Sequence, residues 1–440
     1  MSLERVTAAL ASRFPSEAEM VPDLDRIRLL TDLMGSPQRA YPSVHLTGTN
    51  GKTSTARMVD ALVRGFGLRP GRYTSPHLHS VTERITVDGD PLSDERFTEV
   101  FEEVRPYVEL VDARSSMPVT YFEVLTAMAF AAFADAPVDL AVLEVGLGGS
   151  WDATNVVQAG TCIVLPVGLD HVPLLGTTLA EIAAEKAGII HPGSTAVLAA
   201  QDPEAAEVLL HRCAEVGATV AREGLEFGVV DRRTAVGGQL VTLQGLAGRY
   251  DEVFLPLHGA YQAQNAVCAL AAVEAFLGGG TGSLDPEAVR QGLADVSSPG
   301  RLEVVRSSPT VLVDAAHNPH GMAATVSALT DAFSFTYLVA VVACLTDKDV
   351  RAMLEVLEPA VSTIVVTESS SPRRLPVEQL REIAEELFGD QRVHVEERLD
   401  DALDLAMSLV DDEAAYGGAG VLVTGSVVTA GEARTLLTAR

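Results

Sequence analysis

Short runs of β-branched and other apolar residues alternate along this chain with longer stretches at helical spacing. The apolar runs predict strands at Ser43–Thr47, Gly71–Thr74, Leu140–Val145, Thr161–Val167, Thr195–Ala199, Thr310–Val313, Tyr337–Val342, Thr363–Thr367, His394–Glu396 and Gly420–Thr424. The spacing between them predicts helices at Lys52–Phe66, Phe122–Phe133, Leu179–Ile189, Ala260–Phe276, Gly321–Phe333, Val377–Leu387 and Leu399–Leu409. Such alternation builds βαβ units and mostly parallel sheets. The runs LAVLEV and LVAVV are nearly unbroken, which is the pattern of strands buried on both faces. Val296-Ser297-Ser298-Pro299-Gly300 interrupts the alternation as a linker would, and the β/α pattern then restarts. The expectation is an α/β protein with one domain over residues 1–297 and a second over 298–440. Arg222–Pro256 reads as strands and turns, a small sheet appended to the first domain.

Composition narrows the class. The chain has 440 residues, and at about 150 residues per domain two or three domains are expected. With 47% hydrophobic and 21% charged residues it is neither disordered nor fibrous. The net charge of −28 argues against broad binding to nucleic acid or an anionic membrane. No run approaches about 18 apolar residues, and Met1–Arg13 has no secretory pattern. Cys162, Cys213, Cys268 and Cys344 lie far apart and form no zinc spacing. Reduced core thiols in a cytoplasmic protein are therefore expected. Lys52, Lys186 and Lys348 are the three lysines among 32 basic residues. Base composition explains scarce lysine, but it also makes each retained one worth placing.

The first chemical motif is Gly48-Thr49-Asn50-Gly51-Lys52-Thr53-Ser54, between an apolar strand and a helix. Glycines let backbone N–H groups turn toward phosphates, and the helix N-terminus adds partial positive charge. Lys52 would offset β/γ-phosphate charge, and a hydroxyl of Thr53 or Ser54 would face Mg2+. Leu46 stands where the longer GxxxxGK[ST] pattern has glycine, so the loop is a shorter variant. A glycine turn capping an ordinary helix accounts for less of the motif.

In open α/β sheets ligands sit beyond the carboxyl ends of strands. There the chain carries Ser75 after Gly71–Thr74, Glu144 at the end of LAVLEV, and Asp170-His171 after Thr161–Val167. A hydroxyl, a carboxylate and an imidazole form a plausible divalent-cation set, for Mg2+ or Mn2+. A carboxylate in a central parallel strand is costly unless it meets a cation. Taken singly, Ser75 reads as a turn residue and His171 as a loop histidine.

The motifs GTNGKTST, YTSPHLHSVTERITVDG, TYFEVLTAMAF, LEVGLGG-x-WDATN, LDHVPLLG-x-T, AEIAAEKAGII, YQAQNAVCAL, SSPGRLE, DAAHNPHG, LTDKDV and VTGSVVTAGE follow in order from about residue 25 to 435. In this order the chain resembles the folylpolyglutamate synthase/dihydrofolate synthase family of the Mur ligase superfamily. The resemblance implies a P-loop domain with a mostly parallel sheet, plus a smaller Rossmann-like C-terminal domain. It implies ATP-dependent ligation of L-glutamate to a folate-type carboxylate through an acyl phosphate, within folate biosynthesis and one-carbon metabolism. A carboxylate is a poor electrophile, and phosphorylation gives it a leaving group. The acceptor is dihydropteroate, a reduced folate, or both, and the bifunctional reading is favoured.

The resemblance also implies roles. Gly48 to Ser54 hold ATP, with Asn265, Arg301 and Asp314 as further nucleotide contacts. Ser75, Glu144 and His171 hold Mg2+, and Lys186 of EKAGI, carbamylated, serves a second metal site. Lys52, Lys186, His171 and His317 are the expected catalytic residues. Thr120, Tyr121, Phe122, Glu123, Trp151, Asp152 and Ala153 belong to the pterin region, and His317 and Ser426 to the glutamate side. Arg301, just past the linker, would sense ATP and make domain closure complete the site. Simpler readings stand beside these: a solvated Glu185–Lys186 pair, a helix cap for Asn318, a turn at Gly425-Ser426, and packing for Trp151. Ser150 stands where the family commonly has Arg, which removes a fixed positive charge. A monomer acting on small molecules, without nucleic acid or membrane, is expected. Of the alternatives, a cell-wall Mur ligase usually has a nucleotide-sugar domain before the loop, and here only 47 residues precede Gly48. A non-catalytic nucleotide switch would not need Glu144, His171 and Lys186 together.

Overall fold

The computed structural model describes residues 1–13, 23–413 and 418–438. It divides into two compact units. Unit 1 comprises Met1–Arg232, Leu240–Leu255 and Ala263–Val296, and unit 2 comprises Arg233–Gln239, Pro256–Gln262 and Ser297–Arg440.

Unit 1 is built on an eight-stranded sheet of β1 (Ser43–Thr47), β2 (Pro70–Tyr73), β3 (Ile85–Val87), β4 (Asp90–Pro91), β5 (Leu140–Glu144), β6 (Thr161–Val164), β7 (Thr195–Leu198) and β8 (Thr219–Arg222). The spatial order is β4-β3-β2-β5-β1-β6-β7-β8. All neighbours are parallel except β2–β3 and β3–β4. Every residue of β1 and β5 is buried, as central strands covered on both faces must be. One face carries a cluster that includes Leu10, Ile27, Leu30, Phe97, Phe101, Phe130 and Phe133 from the helices Leu3–Ala11, Asp25–Leu33, Asp94–Asp112 and Tyr121–Asp135. A second cluster joins β6 and β7 to the helices Leu179–Lys186 and Pro203–Val216 through Cys162, Val164, Ile182, Leu209 and Cys213.

A three-stranded sheet, ordered β11-β10-β9, follows: β9 (Gly228–Ala235), β10 (Gly238–Gln244) and β11 (Arg249–Leu255). Unit 2 carries β12 (Glu303–Ser307), β13 (Thr310–Val313), β14 (Tyr337–Val342), β15 (Thr363–Val366), β16 (Val393–Val395) and β17 (Ala419–Thr424). Their order is β12-β13-β17-β14-β15-β16, and only β12 pairs antiparallel. No helix among the described residues is long and apolar enough to cross a membrane.

Several boundaries differ from the sequence reading by a few residues, and two of the shifts have a clear physical reason. The run Thr161–Val167 leaves the sheet after Val164, because Pro166 has no N–H for a ladder. Its carbonyl instead accepts from Thr49 N at 3.0 Å. The helix expected over Leu179–Ile189 stops at Lys186 and tightens into a 3-10 turn over Ala187–Ile189. Gly188 there lies so close to Ser150 that a Cβ would stand 2.1 Å from Ser150 Oγ.

Candidate functional site

The loop after β1 turns on two glycines. Gly51 caps the helix Lys52–Gly65 at φ +85°, a left-handed conformation that side chains resist. A Cβ there would stand 2.6 Å from Asn265 Oδ1, so the structure brings Asn265 against the loop. Gly48 presses on Leu165, where a Cβ would stand 2.6 Å from the Leu165 Cβ. The Thr49 hydroxyl exchanges hydrogen bonds with Gly168, donating to its carbonyl and accepting from its N–H, both at 2.9 Å.

Lys52 folds back over this loop and donates to the carbonyls of Gly48 at 2.9 Å and Thr49 at 3.1 Å. Lys186 Nζ reaches the same Gly48 carbonyl at 3.1 Å. Its side chain is buried, so a solvated pair with Glu185 does not describe it. Burial first, and the Lys52 charge second, push the Lys186 amine down to about 7. Asp170, Glu185 and Asp152 oppose that shift. Glu185 also holds the neighbouring loop, its Oε1 accepting from Gly149 N at 3.3 Å and Trp151 N at 3.4 Å.

Glu144 ends β5 fully buried and accepts from the Thr53 hydroxyl at 2.9 and 3.1 Å and from Ser75 N at 3.2 Å. The buried Arg72 of the adjacent β2 pairs with Asp60 at 3.6 Å, and Glu144 acts on it only as a more distant charge. Thr53, Ser75 and Glu144 therefore meet at one point, while the alternative hydroxyl, Ser54, is buried in the helix. His171, at φ +50°, begins a short helix beside Asp170, with Nε2 3.9 Å from Asp170 Oδ1. Among the described residues no three His, Cys, Asp or Glu side chains form a metal cluster. The Thr53 hydroxyl and the Glu144 carboxylate, with Ser75 held beside them through its N–H, are donors that suit a hard cation.

Thr120 and Glu123 form a capping box, with Thr120 N donating to Glu123 Oε2 at 2.7 Å. Glu123 also pairs with the buried Arg26 at 3.1 Å. Phe122 stands against Gly146, and Trp151 packs partly buried against the β6–β7 cluster. Ser150 caps the end of the Lys186 helix, its hydroxyl donating to the Glu185 carbonyl at 2.9 Å. Asp152 is buried and caps the turn Ala153–Val156.

Sequence reasoning gives no role to Arg84, although the run SVTERITVDG contains it. Arg84 is buried, donates from Nε to His77 Nδ1 at 2.9 Å, and lies 5.3 Å from the centre of the Tyr121 ring. Burial, then the Arg84 charge, lowers His77 to about 4, which keeps Nδ1 free to accept. The structure thus packs a guanidinium on an aromatic face close to the Ser75 loop. Its only signal in the sequence is proximity to that motif.

In unit 2, Asp314 follows β13 and accepts from Leu302 N at 2.8 Å, Ala316 N at 2.9 Å and the Thr325 hydroxyl at 2.8 Å. It thereby ties down the turn that carries Arg301. His317 Nδ1 lies 2.9 Å from the Ala315 carbonyl. Asn318 caps the helix Pro319–Ala332, and Ser426 Oγ accepts from Thr429 N at 3.0 Å. The cap expected for Asn318 is present, and Ser426, read as a turn residue, also caps a helix, both at the carboxyl edge of the sheet where a ligand site is expected. Lys348 is nearly buried, 3.8 Å from Asp347, which also faces Arg373.

Residues 46–273 match the Mur ligase middle domain, and residues 300–427 match the Mur ligase glutamate ligase domain. The dihydrofolate synthase/folylpolyglutamate synthase of Mycobacterium tuberculosis is 52% identical, covering 99% of this chain and 94% of that protein. The structure of M. tuberculosis folylpolyglutamate synthase complexed with ADP and AMPPCP superposes with a TM-score of 0.94 at 53% identity, covering 99% of this chain and 98% of that one. Escherichia coli FolC in complex with DHPP and ADP gives a TM-score of 0.87 at 29% identity, covering 100% and 98%.

Proposed function

The chain belongs to the Mur ligase superfamily, in its dihydrofolate synthase/folylpolyglutamate synthase branch, and from that premise we propose how its own residues carry the reaction. It is an ATP-dependent ligase that joins L-glutamate to folate-type carboxylates, with dihydropteroate and reduced folates as acceptors. An acceptor carboxylate oxygen attacks the γ-phosphorus of ATP and ADP leaves. The glutamate amine then attacks the acyl carbon, phosphate leaves, and the nitrogen loses a proton as the amide forms.

The observation that carries the assignment of residues is the convergence on the loop after β1. Lys52 and Lys186 share one carbonyl there, and Thr53 meets Glu144. The loop N–H groups and Lys52 hold the β/γ-phosphates of ATP, offsetting charge that develops during transfer. Asn265, Arg301 and Asp314 are further nucleotide contacts. Thr53, Ser75, Glu144 and His171 would hold Mg2+, which would screen the phosphate oxygens from one another. The Lys186 amine, neutral in part near pH 7, adds to CO2. An N–C bond forms and a proton goes to solvent, and the resulting carbamate would offer an oxygen ligand to a second cation. The segments Thr120–Glu123 and Trp151–Ala153 receive the acceptor, with Arg84 balancing its carboxylate. His317 and Ser426 serve glutamate. The protein works as a monomer on small molecules.

The test is ADP release with each acceptor and glutamate in turn. Release that requires both glutamate and either dihydropteroate or tetrahydrofolate is expected. Release independent of glutamate would overturn the reading, and activity on one acceptor alone would restrict it to a monofunctional enzyme.

A further inference from the structure

His45 is fully buried in the middle of β1, three residues before Gly48 opens the loop. An imidazole there is costly unless its polar atoms are used. Its Nε2 lies 2.7 Å from the Thr154 hydroxyl, and that hydroxyl lies 2.5 Å from Asp152 Oδ1. Both Asp152 oxygens accept from backbone N–H groups, and the Thr154 hydroxyl donates to Oδ1, so the Thr154 proton points to Asp152. Thr154 Oγ1 must then accept from His45, which places the imidazole proton on Nε2. The other ring nitrogen, Nδ1, is buried and has no hydrogen-bond partner among the described residues, as suits a bare lone pair better than an N–H. Burial holds His45 neutral, its value pushed down to about 3.

The chain of bonds continues beyond the carboxylate. Asp152 Oδ1 accepts from Thr154 N at 2.9 Å, and Oδ2 accepts from Leu147 N at 2.9 Å. The next loop residue, Gly148, offers its carbonyl to the Thr47 hydroxyl at 2.8 Å. β1 thus grips the Gly146–Gly149 loop twice, from Thr47 directly and from His45 through Thr154 and Asp152. Both side chains sit on the strand that feeds the phosphate loop.

We infer that His45 and Thr154 are positioning residues for the acceptor, fixing the Asp152 carboxylate and the Gly146–Gly149 loop on which the pterin-bearing substrate is oriented. This rests on the reading that Trp151–Ala153 receives the acceptor. His45 touches no substrate and moves no proton in the reaction.

The experiment compares KM for acceptor, ATP and glutamate in H45L, H45Q, T154V, T154S and D152N, each checked for folding by thermal denaturation. Gln places an amide donor near the position of His Nε2, and Ser keeps the hydroxyl. T154V and H45L are expected to raise acceptor KM about tenfold or more, roughly the worth of one buried charge-assisted bond. ATP KM should stay within about twofold, and H45Q and T154S should recover most of the loss. The double variant H45L/T154V should be no worse than T154V alone, because both cut one chain. Equal rises in ATP and acceptor KM, or additive losses in the double variant, would overturn the inference. If H45L does not fold, the T154V and T154S pair decides alone. D152N separates the two levels. An unchanged acceptor KM in D152N defeats the underlying reading, whereas a raised KM in D152N with wild-type values in T154V defeats only the inference about His45 and Thr154.

Discussion

The side-chain amines of Lys52 and Lys186 donate to one acceptor, the carbonyl oxygen of Gly48, at 2.9 and 3.1 Å. Two ammonium groups on a single carbonyl repel each other, and Lys186 is the buried one. It is therefore the amine that gives way, losing its proton near pH 7. Lys186→Ala is expected to abolish glutamate-dependent ADP release, with partial recovery in a short carboxylic acid that supplies the missing carboxylate. Full activity in the variant would remove Lys186 from the mechanism.

Glu144 is the fixed anion against which Thr53 is set. Glu144→Gln keeps the shape and the acceptor toward Thr53 but removes the charge that holds a divalent cation. Turnover should fall by about a hundredfold or more, with a higher Mg2+ concentration needed for half-maximal rate. An unchanged Mg2+ dependence would place the cation elsewhere.

Gly51 is held at φ +85° with Asn265 against it. Gly51→Ala adds a left-handed penalty of about 1–2 kcal/mol and pushes a methyl into the Asn265 amide. ATP KM should rise at least about tenfold while the chain still folds at a lower denaturation midpoint. Titration with ADP, followed calorimetrically, reads the binding loss directly.

Arg301 shares its turn with Leu302, whose N–H is held by Asp314. Arg301→Ala should lower kcat severalfold or more in steady-state assays. A wild-type kcat would show that the nucleotide needs nothing from this side chain.

His45 gives a pH signature. Its folded value of about 3 lies below the ordinary 6.5, so between those two values the unfolded chain binds more protons than the folded one. The His45 contribution is thus fully present above pH 6.5 and is lost as pH falls toward 3. From pH 6.5 to pH 5 the loss amounts to about 2 kcal/mol. Urea midpoints of wild type and H45Q should converge on acidification, because the variant lacks this proton uptake. Parallel curves would show that the imidazole does not titrate as its burial requires.

Much of the fold is legible in the residue pattern. β1, β13 and β14 match the runs read from the sequence residue for residue; β13 and β14 are mainly apolar, as strands covered on both faces tend to be, while β1 buries Ser43, His45 and Thr47 among its apolar residues. β2 is legible only in part, since its PGRY sequence breaks the usual strand signals. Gly71 is there because Phe133 lies where a Cβ would go, a fact of packing that no local pattern carries. The helix Asp94–Asp112 is hidden in the sequence because Pro106 and a dense run of acidic residues obscure its apolar stripe.

The candidate site divides the same way. The residue types of the loop Gly48–Ser54, and the ordered motifs around Ser75, Glu144, His171 and Lys186, are properties of the chain itself. Backbone turns toward phosphate need glycine, and metal binding needs oxygen donors at strand ends, so that chemistry is written locally. Tertiary structure alone decided that Thr53 rather than Ser54 meets Glu144, that Lys186 meets Lys52, and that Arg84 and His45 belong with the site. Those partners are brought together by strand order, and most stand tens of residues from their counterparts. Distance through the fold, burial and the resulting loss of solvent screening set their protonation and aim, and none of these is a property of a residue and its near neighbours in sequence.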